Sequence, residues 1–248
     1  VATTVFGEVA AQYDDVRPGY PAEMADALAG YIGGTPELIA EIGAGTGKGT
    51  ELFSRLGAPM LCVEPDPRMA EHLRAKFPRA EVVSSDFEGW APSRPLPVLA
   101  GTLIWHLLDP AARCVRAHGL LDEDGVLALI GRKHSFADEE QRVAVDAAFA
   151  TEHYPVVDRG AEWIVADLRD SGLFDDVRVL RFDSDLALPT EAYLRMVQTF
   201  SPFRLREPAA QERLLGAIRD AVEATGGVMR MRLETTLNLG RRLSLGQG

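Results

Sequence analysis

Short apolar runs alternate along the chain with stretches whose apolar residues recur every three or four positions. Leu38-Ile39-Ala40-Glu41-Ile42, Pro59-Met60-Leu61-Cys62-Val63-Glu64, Glu81-Val82-Val83-Ser84, Val98-Leu99-Ala100-Gly101-Thr102 and Val126 to Ile130 are the runs. They are short and mostly continuous, the pattern of strands buried on both faces. Between them lie the helical patterns. One starts at Pro21, continues through Met24, Leu28 and Ile32, and stops at Gly33-Gly34; a second carries Leu52, Phe53 and Leu56. A third is capped by Asp66-Pro67 and shows Met69, Leu73 and Phe77 on one face. Residues 137–152 form a helix with Val143, Val145 and Phe149 inward, and another runs from Trp163 to near Gly172. Pro208 to Thr225 turns Leu214, Leu215, Ile218 and Val222 to the core before Gly226-Gly227. Val177, Val179 and Phe182 mark a sixth strand. The last strand alternates Met229, Met231, Leu233 and Leu237 with Arg230, Arg232, Glu234 and Asn238, as a half-exposed antiparallel strand does. Residues 88–97 read as a turn-rich connector, Leu120 to Gly125 as a sharp turn before the fifth strand, and Thr190 to Phe203 as an irregular lid. Strand and helix in alternation predict an α/β fold around a mostly parallel sheet.

Composition narrows the class. At 248 residues the chain is long enough for one large domain with a lid. It is 46% hydrophobic and 25% charged, and no apolar run reaches the ~18 residues that span a bilayer. A membrane partner is not expected. Val1-Ala2-Thr3-Thr4 lacks the basic and apolar regions of a signal peptide. Cys62 and Cys114 are the only cysteines, too few for a disulfide framework or a metal site, so a reducing cytoplasm is the expected compartment. A net charge of −11 excludes a general nucleic-acid binder, which needs a basic surface.

The candidate chemistry lies where the first run ends. Glu41 is followed by Gly43, Gly45 and Gly47 in alternation, then by a helix. Glycines at such a turn permit unusual dihedrals and close approach of a ligand, and ligands sit beyond the carboxyl ends of parallel strands. A phosphate-binding P-loop would need glycine at position 42 and a hydroxyl at 49, where Ile42 and Gly49 stand. The dinucleotide fingerprint would need its third glycine where Lys48 stands. The second run ends in Glu64, 21 positions after Gly43, near the ~20 expected of a carboxylate that accepts ribose hydroxyls; the alternative is a solvated loop acid.

Glu41-x-Gly43-x-Gly45-x-Gly47 resembles the first motif of class I S-adenosylmethionine-dependent methyltransferases, within a small-molecule subgroup. The resemblance covers roughly residues 6 to 132 and 176 to 242. It implies a seven-stranded, Rossmann-like, mostly parallel sheet with an antiparallel C-terminal strand and a small helical lid. The domain would occupy 1–248: N-terminal cofactor flap and first helix 1–34, cofactor-binding core 35–135, helical lid or substrate insertions 136–175 and 184–227, and last strand 228–242. Tyr13, Arg17 and Tyr20 lie in a stretch resembling the family's Tyr-Asp...Arg-Pro-x-Tyr-Pro opening, which encloses the cofactor's methionine end; the alternative is a surface arm. The loop residues Glu41, Gly43, Ala44, Gly45, Thr46 and Gly47 would hold the cofactor's amino acid end. Glu64 and Pro65 would meet the ribose, with Met69 either beside it or in the core. Ser85, Asp86 and Phe87 would meet the adenine, Asp86 as acceptor for its amine or else as a plain helix cap. Leu103-Ile104-Trp105-His106-Leu107-Leu108-Asp109-Pro110 resembles the subgroup's Ala-Trp-His-Trp-x-Asp-Pro segment. There Leu103 would touch the cofactor, and Trp105 would wall the pocket or fill the core. His106 can titrate near neutrality and is the candidate catalytic base, a structural histidine being the alternative. His134, Tyr193, Phe200 and Phe203 would face the substrate, the last three being lid core otherwise.

The implied reaction is methyl transfer from S-adenosyl-L-methionine to an O-, N- or C-nucleophile on a small-molecule acceptor, chiefly by alignment. Two alternatives stay open: a protein of the same fold and cofactor that catalyses another step such as cyclisation, and an NAD-dependent oxidoreductase.

Overall fold

The computed structural model describes residues 10–153, 160 and 162–244, and the structural statements below concern those residues. The first nine residues of the expected flap, and residues 154–159 and 161 of the first expected insertion, lie outside them.

Seven strands form one sheet: β1 (Ile39–Ile42), β2 (Met60–Val63), β3 (Glu81–Val83), β4 (Leu96–Thr102), β5 (Leu121–Phe136), β6 (Phe174–Pro189) and β7 (Val228–Arg242). Their order is β3-β2-β1-β4-β5-β7-β6. The first five run parallel, with Ile42 beside Val63 and Gly101, and Thr102 beside Ile130. The C-terminal strands are antiparallel, as expected. A two-halved dinucleotide domain would have the order 3-2-1-4-5-6; here β7 enters between β5 and β6 instead.

The described residues gather into two compact units. One comprises 19–132, 160, 162–182 and 235–244; the other comprises 10–18, 133–153 and 183–234. In the first, successive strand residues go to opposite clusters. Val98, Ala100, Val126, Ala128 and Ile130 face α2 (Glu23–Ile32), α3 (Lys48–Phe53) and α4 (Pro67–Lys76), contributing Met24, Leu28, Phe53 and Leu73. Leu99, Leu127 and Leu129 face α5 (Arg113–Leu120) and α7 (Trp163–Ser171), with Ala117, Ile164 and Leu168. That double burial is why these strands read as continuous apolar runs. The second unit, which includes α1 (Ala10–Val16), has its own core. It joins Val145 and Ala148 of α6 (Glu139–Thr151), Tyr193, Met196 and Val197 of α8 (Thr190–Val197), and Phe203 of α9 (Ser201–Arg204). Leu214, Ile218 and Val222 of α10 (Pro208–Ala224) complete it with Met229 and Met231 of β7.

Several expected boundaries move. Thr190 to Phe203 is helical, its apolar residues fixed by the α8–α10 core. Leu120 to Gly125 is largely absorbed into β5, with Asp124 taking the left-handed kink at φ +66°. β6 extends to Pro189, six residues into the expected second insertion. Val143 is 55% exposed: α6 buries Gln141, Val145 and Ala148 instead. β7 is half-exposed only over its first half; from Thr235 to Gly240 every residue is buried, because the strand there is internal to the sheet. Among the described residues, no helix is long and apolar enough to cross a membrane.

Candidate cofactor site

The glycine loop leaves β1 and is tied to the end of β2. The Gly43 and Ala44 N–H groups donate to the Val63 carbonyl at 2.9 and 3.3 Å. Gly45 N–H donates to Glu64 Oε2 at 2.8 Å, and Asp66 N–H donates to Glu64 Oε1 at 2.9 Å. Glu64, 5% exposed, therefore braces the loop and the start of α4 with its two oxygens. Burial pushes its carboxyl above the ordinary range, while those backbone donors pull it back. Gly43, Gly45 and Gly47 all have positive φ (60°, 58° and 91°), so a side chain at any of them would be strained. Their surroundings differ. The Ile104 side chain packs over Gly43, where an added Cβ would lie 2.6 Å from it, and Phe77 and Leu73 pack over Gly47 at 2.4 and 2.7 Å. Around Gly45 only Met69 Sδ comes near, at 3.7 Å. Gly45 is thus the open glycine; the outer two admit neighbouring side chains rather than a ligand. Ala44, Thr46 and Met69 are buried.

Beneath the loop, Glu41 is fully buried. Its Oε2 accepts from Thr50 Oγ1 at 2.6 Å and its Oε1 from Thr102 Oγ1 at 3.4 Å. Burial drives its carboxyl up to about 8, the Thr50 and Thr102 hydroxyls opposing and the Glu64 charge adding to the rise. Gly49 makes room for this: a Cβ there would lie 2.1 Å from Glu41 Oε1 and 2.5 Å from Thr102 Cγ2. Gly49, Thr50 and Thr102 were not singled out as part of the loop's support. A fourth glycine continuing the 43-45-47 spacing was the signal for the first.

Past β2, Pro65 is half-buried and Asp66 caps α4, accepting from Arg68 N at 2.9 Å. Past β3, Ser85 is half-buried, and exposed Asp86 accepts the Gly89 N–H on Oδ1 at 2.7 Å. Phe87 is 5% exposed, packed in the core with the Arg116 guanidinium 5.2 Å from its ring. Past β4, Leu103 is half-buried, Trp105 is 2% exposed and His106 is exposed on the 3-10 turn Trp105–Leu107. Trp105 is therefore core: its indole N–H donates to Asp167 Oδ2 at 2.6 Å. The unit thus gathers Glu41, the loop, Glu64, Asp86, Leu103 and His106 at the carboxyl ends of β1 to β4. Tyr20 belongs to this unit too, with the Arg132 guanidinium 4.5 Å from its ring.

The other expected residues lie in the second unit. Arg17 stands between the Tyr13 ring (5.0 Å) and the Phe200 ring (4.5 Å), and its Nε donates to Thr199 Oγ1 at 2.8 Å. Arg17 is thus a packed and hydrogen-bonded side chain of this unit. Tyr193 and Phe203 are each 2% exposed in the lid core; Phe200 and His134 are half-buried. Among the described residues no group of three or more acids, histidines or cysteines is placed to hold a metal.

A sheet of this order, with an acid in β1, a glycine loop after it and a second acid after β2, is the Rossmann-like fold expected from the methyltransferase resemblance. Residues 40–129 match a family described as a methyltransferase domain. An uncharacterized methyltransferase of Mycobacterium tuberculosis (strain ATCC 25618 / H37Rv) is 30% identical over 130 residues, 50% of this chain and 51% of that protein. A trans-aconitate 2-methyltransferase of Methylobacterium radiotolerans is 31% identical over 121 residues, 48% of this chain and 45% of that protein. The chain thus spans about half the length of the curated relatives it matches. Among solved structures, the YcgJ protein of Bacillus subtilis superposes with a TM-score of 0.59 at 12% identity, covering 90% of this chain and 100% of that one. Phosphoethanolamine N-methyltransferase 2 of Haemonchus contortus, in complex with S-adenosyl-L-methionine, does so at 0.54 and 13%, covering 98% and 58%. At such identities these two speak for the fold.

Proposed function

We propose that this protein transfers a methyl group from S-adenosyl-L-methionine to a small-molecule acceptor. The observation that carries the reading is the pairing of an open Gly45 with a buried carboxylate, Glu64, whose oxygens fix the loop beside it. The residues present fit the cofactor. Gly45 lets a ligand approach the backbone; Glu64 oxygens keep lone pairs to accept hydroxyls; exposed Asp86 has an oxygen beyond the one its turn uses. When bound, the cofactor supplies a methyl group already electrophilic on its sulfonium. The chain's task is then to orient and to exclude water. In this reading Glu41 and the loop hold the amino acid end and Glu64 the ribose, with Tyr20 of the same unit toward the methionine end. Exposed His106 takes a proton from the acceptor where its nucleophile must lose one. The relative named for trans-aconitate supports a small molecule as acceptor. Cytoplasmic residence belongs to the same proposal: both cysteines are free and buried.

Calorimetry with S-adenosylhomocysteine tests it. Binding in the micromolar range is expected, and folded protein giving no heat with this ligand or with S-adenosyl-L-methionine overturns the reading.

A further inference from the structure

Leu103, the first residue after β4, has φ +53°. A branched L-residue in that region is strained, and it persists only where its surroundings over-determine it. Three sets of contacts do so here. The Leu103 N–H donates to the Ile130 carbonyl at 3.0 Å. The Ile104 side chain fills the space above two glycines, Gly101 and Gly43, where an added Cβ would lie 2.8 and 2.6 Å from it. Trp105 is then gripped twice from one carboxylate. Asp167 Oδ2, on α7, accepts the Trp105 indole N–H at 2.6 Å and Arg113 Nε at 2.9 Å. Arg113 Nη1 in turn donates to the Trp105 carbonyl at 2.9 Å, its guanidinium lying 5.4 and 5.2 Å from the Trp105 and Trp163 rings. The clamp closes two residues after the strained one, and one residue after the side chain that rests on the glycine loop.

We propose that Asp167 is a positioning residue for the cofactor site: through Trp105 and Arg113 it holds the strained Leu103 turn, and so keeps Ile104 against Gly43 and His106 at the carboxyl edge of β4. The proposal rests on the reading of the loop as a cofactor site. It joins α7, a helix the methyltransferase motif does not include, to that loop. A half-buried ion pair serving only core stability would not need to hold both the side chain and the backbone of one residue next to a strained turn.

The test uses the whole chain with Asp167→Ala, the milder Asp167→Asn in case the first does not fold, Leu103→Gly, and the double variant. Amide exchange over 103–107 reads the turn itself; calorimetry with S-adenosylhomocysteine reads the site. Loss of the carboxylate is expected to speed exchange in that segment and to weaken binding roughly tenfold, the scale of coupling between contacting residues. Glycine tolerates φ +53° without being held. In the Leu103→Gly background the Asp167 substitution should therefore cost binding much less. Unchanged exchange at 103–107, or an equal binding loss in both backgrounds, overturns the proposal and leaves Asp167 a core stabiliser. If wild type gives no heat with S-adenosylhomocysteine, it is the cofactor reading that falls. The exchange arm then decides the clamp alone: faster exchange upholds it and unchanged exchange overturns it.

Discussion

Glu41 is a buried acid whose carboxyl lies at about 8 in the fold, against an ordinary value of 4.5. Between those values the native state keeps a proton that the unfolded chain has released, so stability falls as pH rises through that window. Glu41→Gln cannot ionise, and its amide oxygen still accepts from Thr50. Relative to wild type, the variant should gain stability from pH 5.5 to 8.5, by on the order of a few kcal/mol. Urea melts at the two pH values check this; parallel pH profiles would mean that Glu41 ionises in the fold much as it does unfolded. Two glycines separate packing from binding. Gly49→Ala puts a Cβ 2.1 Å from Glu41 Oε1, an overpacking that typically costs about 1–3 kcal/mol. Gly45→Ala meets only Met69 Sδ at 3.7 Å and bears chiefly the strain of its φ of +58°. The first should lower the melting temperature more, and the second should lower S-adenosylhomocysteine affinity more. The reverse order would place the ligand elsewhere.

The elements meet through side chains that hold backbone. Glu64 joins the glycine loop to the start of α4, so Glu64→Ala does more than remove an acceptor for ribose hydroxyls. It strands the Gly45 and Asp66 N–H groups, at about 1–3 kcal/mol for each that stays unsatisfied. The variant should bind S-adenosylhomocysteine at least tenfold more weakly and also melt lower. Calorimetry beside thermal melts separates the two effects; an unchanged melting temperature would show that water satisfies both donors. How much of this was legible follows from distance along the chain. β2, β4 and the middle of β5 were readable because burial on both faces leaves no polar position in their centres, and β1 departs from that only at Glu41. The 43-45-47 turn was readable because positive φ selects glycine locally. Asp167 was not, since its partner Trp105 lies 62 positions away and a lone acid in a helix carries no local mark. Nor was the exposure of Val143, because which face of α6 is buried depends on α10. Tyr193 and Phe203 could be read as substrate-facing or as core, and only the α8–α10 packing assigns them to the core.

Over the whole molecule, the two cofactor classes weighed from the sequence make opposite demands. A dinucleotide site needs a pyrophosphate against a helix start, with glycine where Lys48 stands. In this fold the helix after the loop is only Lys48–Phe53, and Leu73 of α4 and Phe77 at its C-cap press on Gly47, so the approach at that end is filled. The open stretch is at Gly45, beside Glu64, which suits a ribose and an amino acid end and offers no cradle for a pyrophosphate. Thermal unfolding of the full chain with each ligand separates the cases, because a ligand bound only to the native state stabilises it by RT ln(1 + [L]/Kd). At about a hundredfold excess over Kd that is ~2.7 kcal/mol, or roughly 5–10 °C for a chain of this size. S-adenosylhomocysteine should raise the midpoint by that amount, and NADH should leave it unchanged. The two compact units make it necessary to follow the transition by two probes, since unfolding of the pair need not be two-state. Amide exchange in β1 to β4 reads the unit that carries the loop, and exchange in α10 reads the other. Stabilisation by NADH alone, with protection confined to the loop's unit, would transfer the site to nicotinamide chemistry, and Lys48 would then have to stand where a phosphate approaches.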